Sequence, residues 1–186
     1  GEVVPLDIFD VRERLDRELT VNAYWHSNSL SMFKLKNRTF PEIEKILKEE
    51  GVPEDFKYIP VLESSLLPEA ISTSNAVGFW QFKDFTAMSM GLRVDGEVDE
   101  RMNIASATRG AAAYLKQNNA QFDNWLLALQ AYQMGAGGLK RSVGDQHYGK
   151  RHMEITSETY WYVKKFIAYK VAFEGAIKGE PQQKIY

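Results

Sequence analysis

At 186 residues, with 44% apolar and 26% charged side chains, the chain has the size and balance of a single globular domain able to bury a core. A net charge of −2 excludes the broad basic field that nucleic acid or an anionic membrane surface demands, and the lack of cysteine excludes disulfides and thiolate metal sites. No apolar run is long enough to span a bilayer. The opening Gly1-Glu2-Val3-Val4-Pro5 is neither an initiator methionine nor a signal peptide, and reads as a trimmed or processed end. Any export signal or lipid anchor would then lie outside the sequence.

Val11, Leu15 and Leu19 recur at helical spacing, and Tyr24 and Trp25 carry that apolar face towards a loop at His26-Ser27-Asn28. Leu30, Met32, Phe33 and Leu35 predict a second, short helix. Thr39 followed by Glu42 reads as a capping box opening a third, with Pro41 in its first turn and Ile43, Ile46 and Leu47 facing inward. Gly51 is placed to end it in a left-handed turn. Pro53 to Ser65 reads as helical, at the cost of a backbone hydrogen bond if Pro60 sits in the interior. Ser72-Thr73-Ser74-Asn75 reads as a loop, Phe82 to Met90 as a short helix stopped by Gly91, and Asp95-Gly96 as the turn of a small hairpin. Asn103 caps a long helix through Leu115. Asn124 caps another that carries Trp125, Leu126, Leu129 and Tyr132 and is ended by Gly135, Gly137 and Gly138. Thr156 or Ser157 caps a final helix to about Ile177. Without further alternating patterns, repeats or low-complexity linkers, the expectation is one mainly α-helical domain over 1–186, its first part (to about 50) an N-terminal helical extension.

Three segments stand apart: Glu63-Ser64, Gly78-Phe79-Trp80-Gln81-Phe82, and Ala131-Tyr132-Gln133-Met134-Gly135. Each joins a polar group able to touch a sugar to small or aromatic residues that shape a groove. A lone Glu-Ser pair is most often a solvated helix end. In this order, the three segments point to a glycan-cleaving enzyme with one catalytic carboxylic acid.

Plainer readings stand beside the functional ones. Trp80 and Phe82 read as core aromatics and Met134 as packing. Gln81 is different, because an amide inside an apolar segment needs a partner. Ser64 either caps a backbone group or faces the site, and Ser72 sits in a polar loop. Tyr132 can bury its ring and aim its hydroxyl at a ligand. Glu158 either steadies a helix N-terminus or joins the site, with Tyr162 one turn later. Asp95, Glu97, Asp99 and Glu100 lack a calcium-loop pattern and read as a solvated turn. His26, His147 and His152 lack zinc spacing, so no metal is expected, and glycan cleavage by one carboxylic acid calls for no cofactor.

These segments resemble the lytic transglycosylase family that shares the goose-type lysozyme fold, and are most similar to its membrane-bound lytic murein transglycosylase D type. The resemblance runs from about Val21 through the final helix and includes Asp99-Glu100-Arg101, the helix after Asn103, and Glu158-Thr159 with Tyr162-Val163. It implies a lysozyme-like helical fold with a substrate groove, and cleavage of the β-1,4 bond between N-acetylmuramic acid and N-acetylglucosamine to leave a 1,6-anhydromuramic acid end. By motif, Glu63 would be the acid and then the base, while Ser64, Ser72, Gln81, Tyr132, Gln133, Glu158 and Tyr162 would line or support the site. The partner implied is the peptidoglycan glycan strand, without nucleic acid. The place implied is the bacterial cell envelope, periplasmic or outer-membrane associated, with any membrane anchor or glycan-binding domain outside this sequence. Two positions depart from the family pattern: Gln133 stands where Asn is usual after Ala-Tyr, and Tyr160 where Arg follows Glu-Thr.

The chemistry accounts for a single acid. The leaving group must be protonated, so the carboxyl must keep its proton near neutral pH, and apolar neighbours such as Ile59, Val61, Leu62, Phe79 and Trp80 would disfavour its ionisation. A conventional glycosidase needs a second carboxylate. Attack by the sugar's own 6-hydroxyl removes that need. The alternatives are a lysozyme-like muramidase using water, a catalytically silent peptidoglycan-binding module, and a helical protein-interaction domain that leaves the motif order unexplained.

Overall fold

The computed structural model describes residues 29–150 and 160–178. The Val11–Leu19 periodicity, the Tyr24–Asn28 segment and the Thr156 or Ser157 cap lie outside those residues. The break expected at Thr39 is absent, and one helix, α1 (Ser29–Glu49), runs through it. Thr39 does not cap; its hydroxyl donates to the Leu35 carbonyl at 2.7 Å, one turn back, as Thr does inside a helix. Pro41 therefore lies in the helix interior and removes one ladder bond. The buried stripe Phe40, Ile43, Ile46 and Leu47 carries the helix across that gap, tertiary packing outweighing local signals.

Gly51 ends α1 as expected, at φ +72°. Its N–H donates to Lys48 O at 3.1 Å and that of Val52 to Leu47 O at 2.9 Å, the paired bonds of a Schellman turn, with Val52 and Leu47 both buried. The Pro53–Ser65 stretch divides into a 3-10 turn, Glu54–Tyr58, and α2 (Ile59–Ser64). Pro60 falls in the first turn of α2, where an N–H has no helical partner to lose, so the interior cost does not arise.

The next helix is α3 (Asp84–Ser89), followed by Gly91 at φ +89°. Val94 and Asp99 form a single antiparallel bridge around Asp95-Gly96, where Asp95 Oδ1 accepts the Glu97 and Val98 N–H groups at 2.8 and 2.9 Å. Asn103 Oδ1 accepts from Ser106 N at 2.9 Å and starts α4 (Ile104–Phe122), which continues past Leu115. Asn124 Oδ1 likewise accepts from Leu126 and Leu127 N–H to start α5 (Trp125–Met134). Gly135 alone, at φ +89°, ends α5; Gly137 and Gly138 belong instead to α6 (Ala136–Ser142), whose Leu139 is fully buried. The last helix is α7 (Trp161–Lys178). Besides helices, the described residues carry isolated antiparallel bridges at Ile71–Val77, Val77–Phe82 and Val94–Asp99.

The chain divides into two compact units, one within Ser27–Lys116 and one within Gln117–Tyr186, the boundary falling inside α4. The first buries Ile43, Leu47, Tyr58, Ile59, Leu66 and Trp80. In the second, Phe122, Leu127, Ala131 and Leu139 form a cluster covered by Ala136, Val143, Tyr148 and Tyr160. Phe122 and Tyr148 meet there edge-to-face at 5.3 Å, the arrangement that ring quadrupoles favour.

Candidate active site

Glu63 sits in the last turn of α2, half-buried, one residue before the buried Ser64. Ile59, Val61, Phe79 and Trp80 are buried, whereas Leu62 is half-buried. The Ser64 hydroxyl reaches the Pro60 carbonyl at 2.9 Å and the Phe79 carbonyl at 2.8 Å. Its single proton is thus spent on backbone acceptors. The contact to Phe79 fastens the helix end that carries Glu63 to the Gly78–Phe82 segment.

The chain then leaves α2 through Ser65 and Leu66, both left-handed at φ 53° and 64°. With Asn75 and Gln81, they make four of the five non-glycine residues at positive φ among the described residues, and all four lie between Glu63 and Phe82. Such conformations cost on the order of 1–3 kcal/mol each and persist only where the surroundings over-determine them. Full burial of Leu66 is one such constraint.

Gly78–Gln81 form a tight turn closed by reciprocal backbone bonds between Val77 and Phe82, 2.9 and 3.2 Å long. Gly78 has φ +87°, and a Cβ there would fall on the Arg101 carbonyl, so no other residue fits. Trp80 is fully buried and donates its indole N–H to Thr108 Oγ1 at 3.0 Å. The packing reading of Trp80 and Phe82 is the structural one. Gln81 Nε2 donates to the carbonyls of Ala70 and Gly78 at 3.0 and 2.9 Å. Both partners are acceptors, so the amide nitrogen must face them and Oε1 must face away.

Arg101 braces the same turn. Its Nε and Nη2 donate to the two carboxylate oxygens of Asp99 at 2.8 and 2.7 Å, and Nη1 donates to Phe82 O at 3.2 Å. The guanidinium beside it holds the Asp99 carboxyl below the usual carboxylate range. The sequence reading gave Arg101 no such role; an Asp-x-Arg spacing at the entry to a helix was the available signal. Ser72 is half-buried in its loop, where its hydroxyl accepts from Ala76 N–H at 3.1 Å and lies 3.0 Å from that of Ser74. Asp95 and Glu97 face Arg93, and among the described residues no group of His, Asp and Glu is placed to hold a metal ion.

The second unit carries the remaining candidates. Tyr132 is half-buried and Gln133 exposed in the last turn of α5. Met134, read as packing, is 40% exposed at the end of its helix, with its side chain against Gly138 and Ser142 of α6. Tyr162 is buried, with Trp161 edge-on at 5.8 Å. Tyr160, in the position of the family arginine, hydrogen-bonds Ser142 through its hydroxyl at 2.7 Å and packs on the Phe122–Leu139 cluster. Glu158 lies outside the described residues.

The family model described as the Transglycosylase SLT domain matches residues 40–154, more than half of the chain. Over 167 residues the chain is 28% identical to the membrane-bound lytic murein transglycosylase D of Escherichia coli, which covers 85% of the chain and 35% of that protein. It is 36% identical over 99 residues to the peptidoglycan transglycosylase gp16 of Escherichia phage T7, covering 52% of the chain and 8% of that protein. The chain thus spans about a third of the length of the first relative and far less of the second. In fold it is similar to the 70 kDa soluble lytic transglycosylase of Escherichia coli, with a TM-score of 0.61 at 20% identity over 93% of this chain and 30% of that one. An inactive mutant of the lytic transglycosylase Slt from Pseudomonas aeruginosa gives 0.58 at 22% identity, over 78% of this chain and 25% of that one. The mainly α, lysozyme-like architecture expected from the sequence is the one found.

Proposed function

The chain belongs to the Transglycosylase SLT domain family, and from that premise we propose that it is a peptidoglycan lytic transglycosylase with Glu63 as its acid and base. The observation that carries the reading is the 2.8 Å bond from Ser64 to the Phe79 carbonyl, which joins the Glu63 helix end to the turn bearing Gln81. Two motifs separated in sequence are thereby one local structure. Relatives named for murein and peptidoglycan supply the substrate class.

In the proposed reaction, the Glu63 carboxyl gives its proton to the glycosidic oxygen as the bond to the muramic acid anomeric carbon breaks. The 6-hydroxyl oxygen of the same sugar bonds to that carbon, and its proton returns to the Glu63 carboxylate. No water is consumed, so the product is an anhydro end and the enzyme is regenerated. Gln81 Oε1 offers a fixed acceptor to a sugar N–H or O–H. Tyr132 and Gln133 are carried by their motif as further glycan contacts. The place of action we propose is the bacterial cell envelope, periplasmic or at the outer membrane; no helix of the described residues is long and apolar enough to cross a membrane.

Mass analysis of the fragments released from purified sacculi tests the reaction. Anhydro-ended fragments are expected, and fragments heavier by one water would overturn it in favour of hydrolysis. Glu63→Gln keeps the shape but not the proton transfer, and should lower turnover by about 10²-fold or more with the melting temperature retained. Turnover near wild type would remove Glu63 from its role.

A further inference from the structure

We propose that Arg101 is a positioning residue, acting through the Phe82 carbonyl to hold the Gly78–Phe82 turn in the conformation that presents the Gln81 amide oxygen to the glycan. The proposal rests on the glycan-facing role given above to Gln81. Arg101 touches both ends of the turn: its backbone carbonyl lies where a Cβ on Gly78 would be, and its Nη1 donates to Phe82 O. That carbonyl also accepts from Val77 N–H, so both its acceptor sites are engaged.

The guanidinium cannot drift. Its side chain is 9% exposed, and two of its nitrogens are committed to Asp99 in a fork–carboxylate pair. Moving the third would leave a buried guanidinium N–H without its acceptor and the Phe82 carbonyl with the Val77 N–H alone. Gln81, one residue before Phe82, holds φ at +54°, a conformation that needs external support. Lysine cannot replace this strut, because one ammonium lacks the planar fork that serves a carboxylate and a carbonyl together.

A double-mutant cycle on the intact protein separates positioning from mere stability. Arg101→Lys should lower kcat/KM for release of anhydro-ended fragments by about tenfold in the Gln81 background, and by less than about twofold once Gln81→Ala has removed the group it positions. Equal losses in both backgrounds would overturn the proposal. Assays run well below each melting temperature, and Asp99→Asn, which unpins the fork while keeping its shape, carries the same cycle if Arg101→Lys fails to fold. Independently of any turnover, hydrogen exchange of the Gln81 side-chain amide, followed by NMR, should accelerate about tenfold in Arg101→Lys as its cage loosens. Unchanged exchange would overturn the strut. Accelerated exchange in a protein that forms no anhydro ends would refute the transglycosylase reading while supporting the strut.

Discussion

The smallest unit of the candidate site is the Ser64 hydroxyl, and its consequences differ from those of the other candidate serine. Ser64 is enclosed and bonded to Phe79 O, while Ser72 is half-buried within a local serine-rich turn. Ser64→Ala leaves a buried carbonyl short of a donor, at a cost of roughly 1–3 kcal/mol. It should also lower kcat, because the Glu63 helix end loses its fastening to the turn. Ser72→Ala should shift the melting temperature little. Kinetics and thermal melts of the two variants decide this, and a normal kcat for Ser64→Ala would show that the fastening is irrelevant to turnover. Trp80→Ala acts through folding instead: loss of the enclosed ring and of its bond to Thr108 should cost about 3–5 kcal/mol.

Among the elements, the turn and the long helix make a matched pair of tests with the same substitution. Alanine at Gly78 meets the Arg101 backbone at φ +87°, with nothing flexible to yield. Alanine at Gly110, inside α4, comes nearest to the flexible end of the buried Leu92 side chain. There the repacking cost is offset by the roughly 1 kcal/mol that alanine gains over glycine in a helix. Gly78→Ala should therefore lose far more stability than Gly110→Ala, read as about 2–4 °C of melting temperature per kcal/mol for a chain of this size. The reverse order would show that the close approach of Gly78 to Arg101 is not rigid. The same contrast explains what could be read in advance. Gly51, Asn103 and Asn124 were legible because a cap is settled within a few residues. Thr39 and Pro41 sent an equally local signal that a buried stripe on α1 overrode. The ingredients of the candidate site were visible as motifs, but the bonds that join Ser64 and Arg101 to the Gly78–Phe82 turn were not. Ser64 and Arg101 reach backbone carbonyls 15 and 19 residues away, and a carbonyl carries no sequence signature.

For the whole molecule, the Asp99–Arg101 pair links stability to pH. The side-chain bonds from Arg101 lower the folded-state value of Asp99, against the burial that opposes them. A carboxyl whose folded value lies below its unfolded value binds protons more readily when unfolded, so its contribution is complete above the unfolded value and fades as the pH falls through the folded one. Urea midpoints should hold steady above about pH 5 and decline below it. In Asp99→Asn the neutral-pH midpoint should be lower and the acid decline shallower. An unchanged slope would show that other carboxylates dominate acid unfolding.

The burial of Trp80 also makes the turn optically visible. An indole with no solvent exposure and a hydroxyl acceptor should resist acrylamide quenching, whereas Trp161, 58% exposed at the start of α7, should not. With Trp25, Trp125 and Trp161 replaced by phenylalanine, Trp80 becomes a lone emitter within three residues of Gly78, Gln81 and Phe82. Loosening of that turn would then appear as quencher access and a red shift while the helices still give their full circular dichroism, separating local opening of the site from global unfolding in a single titration.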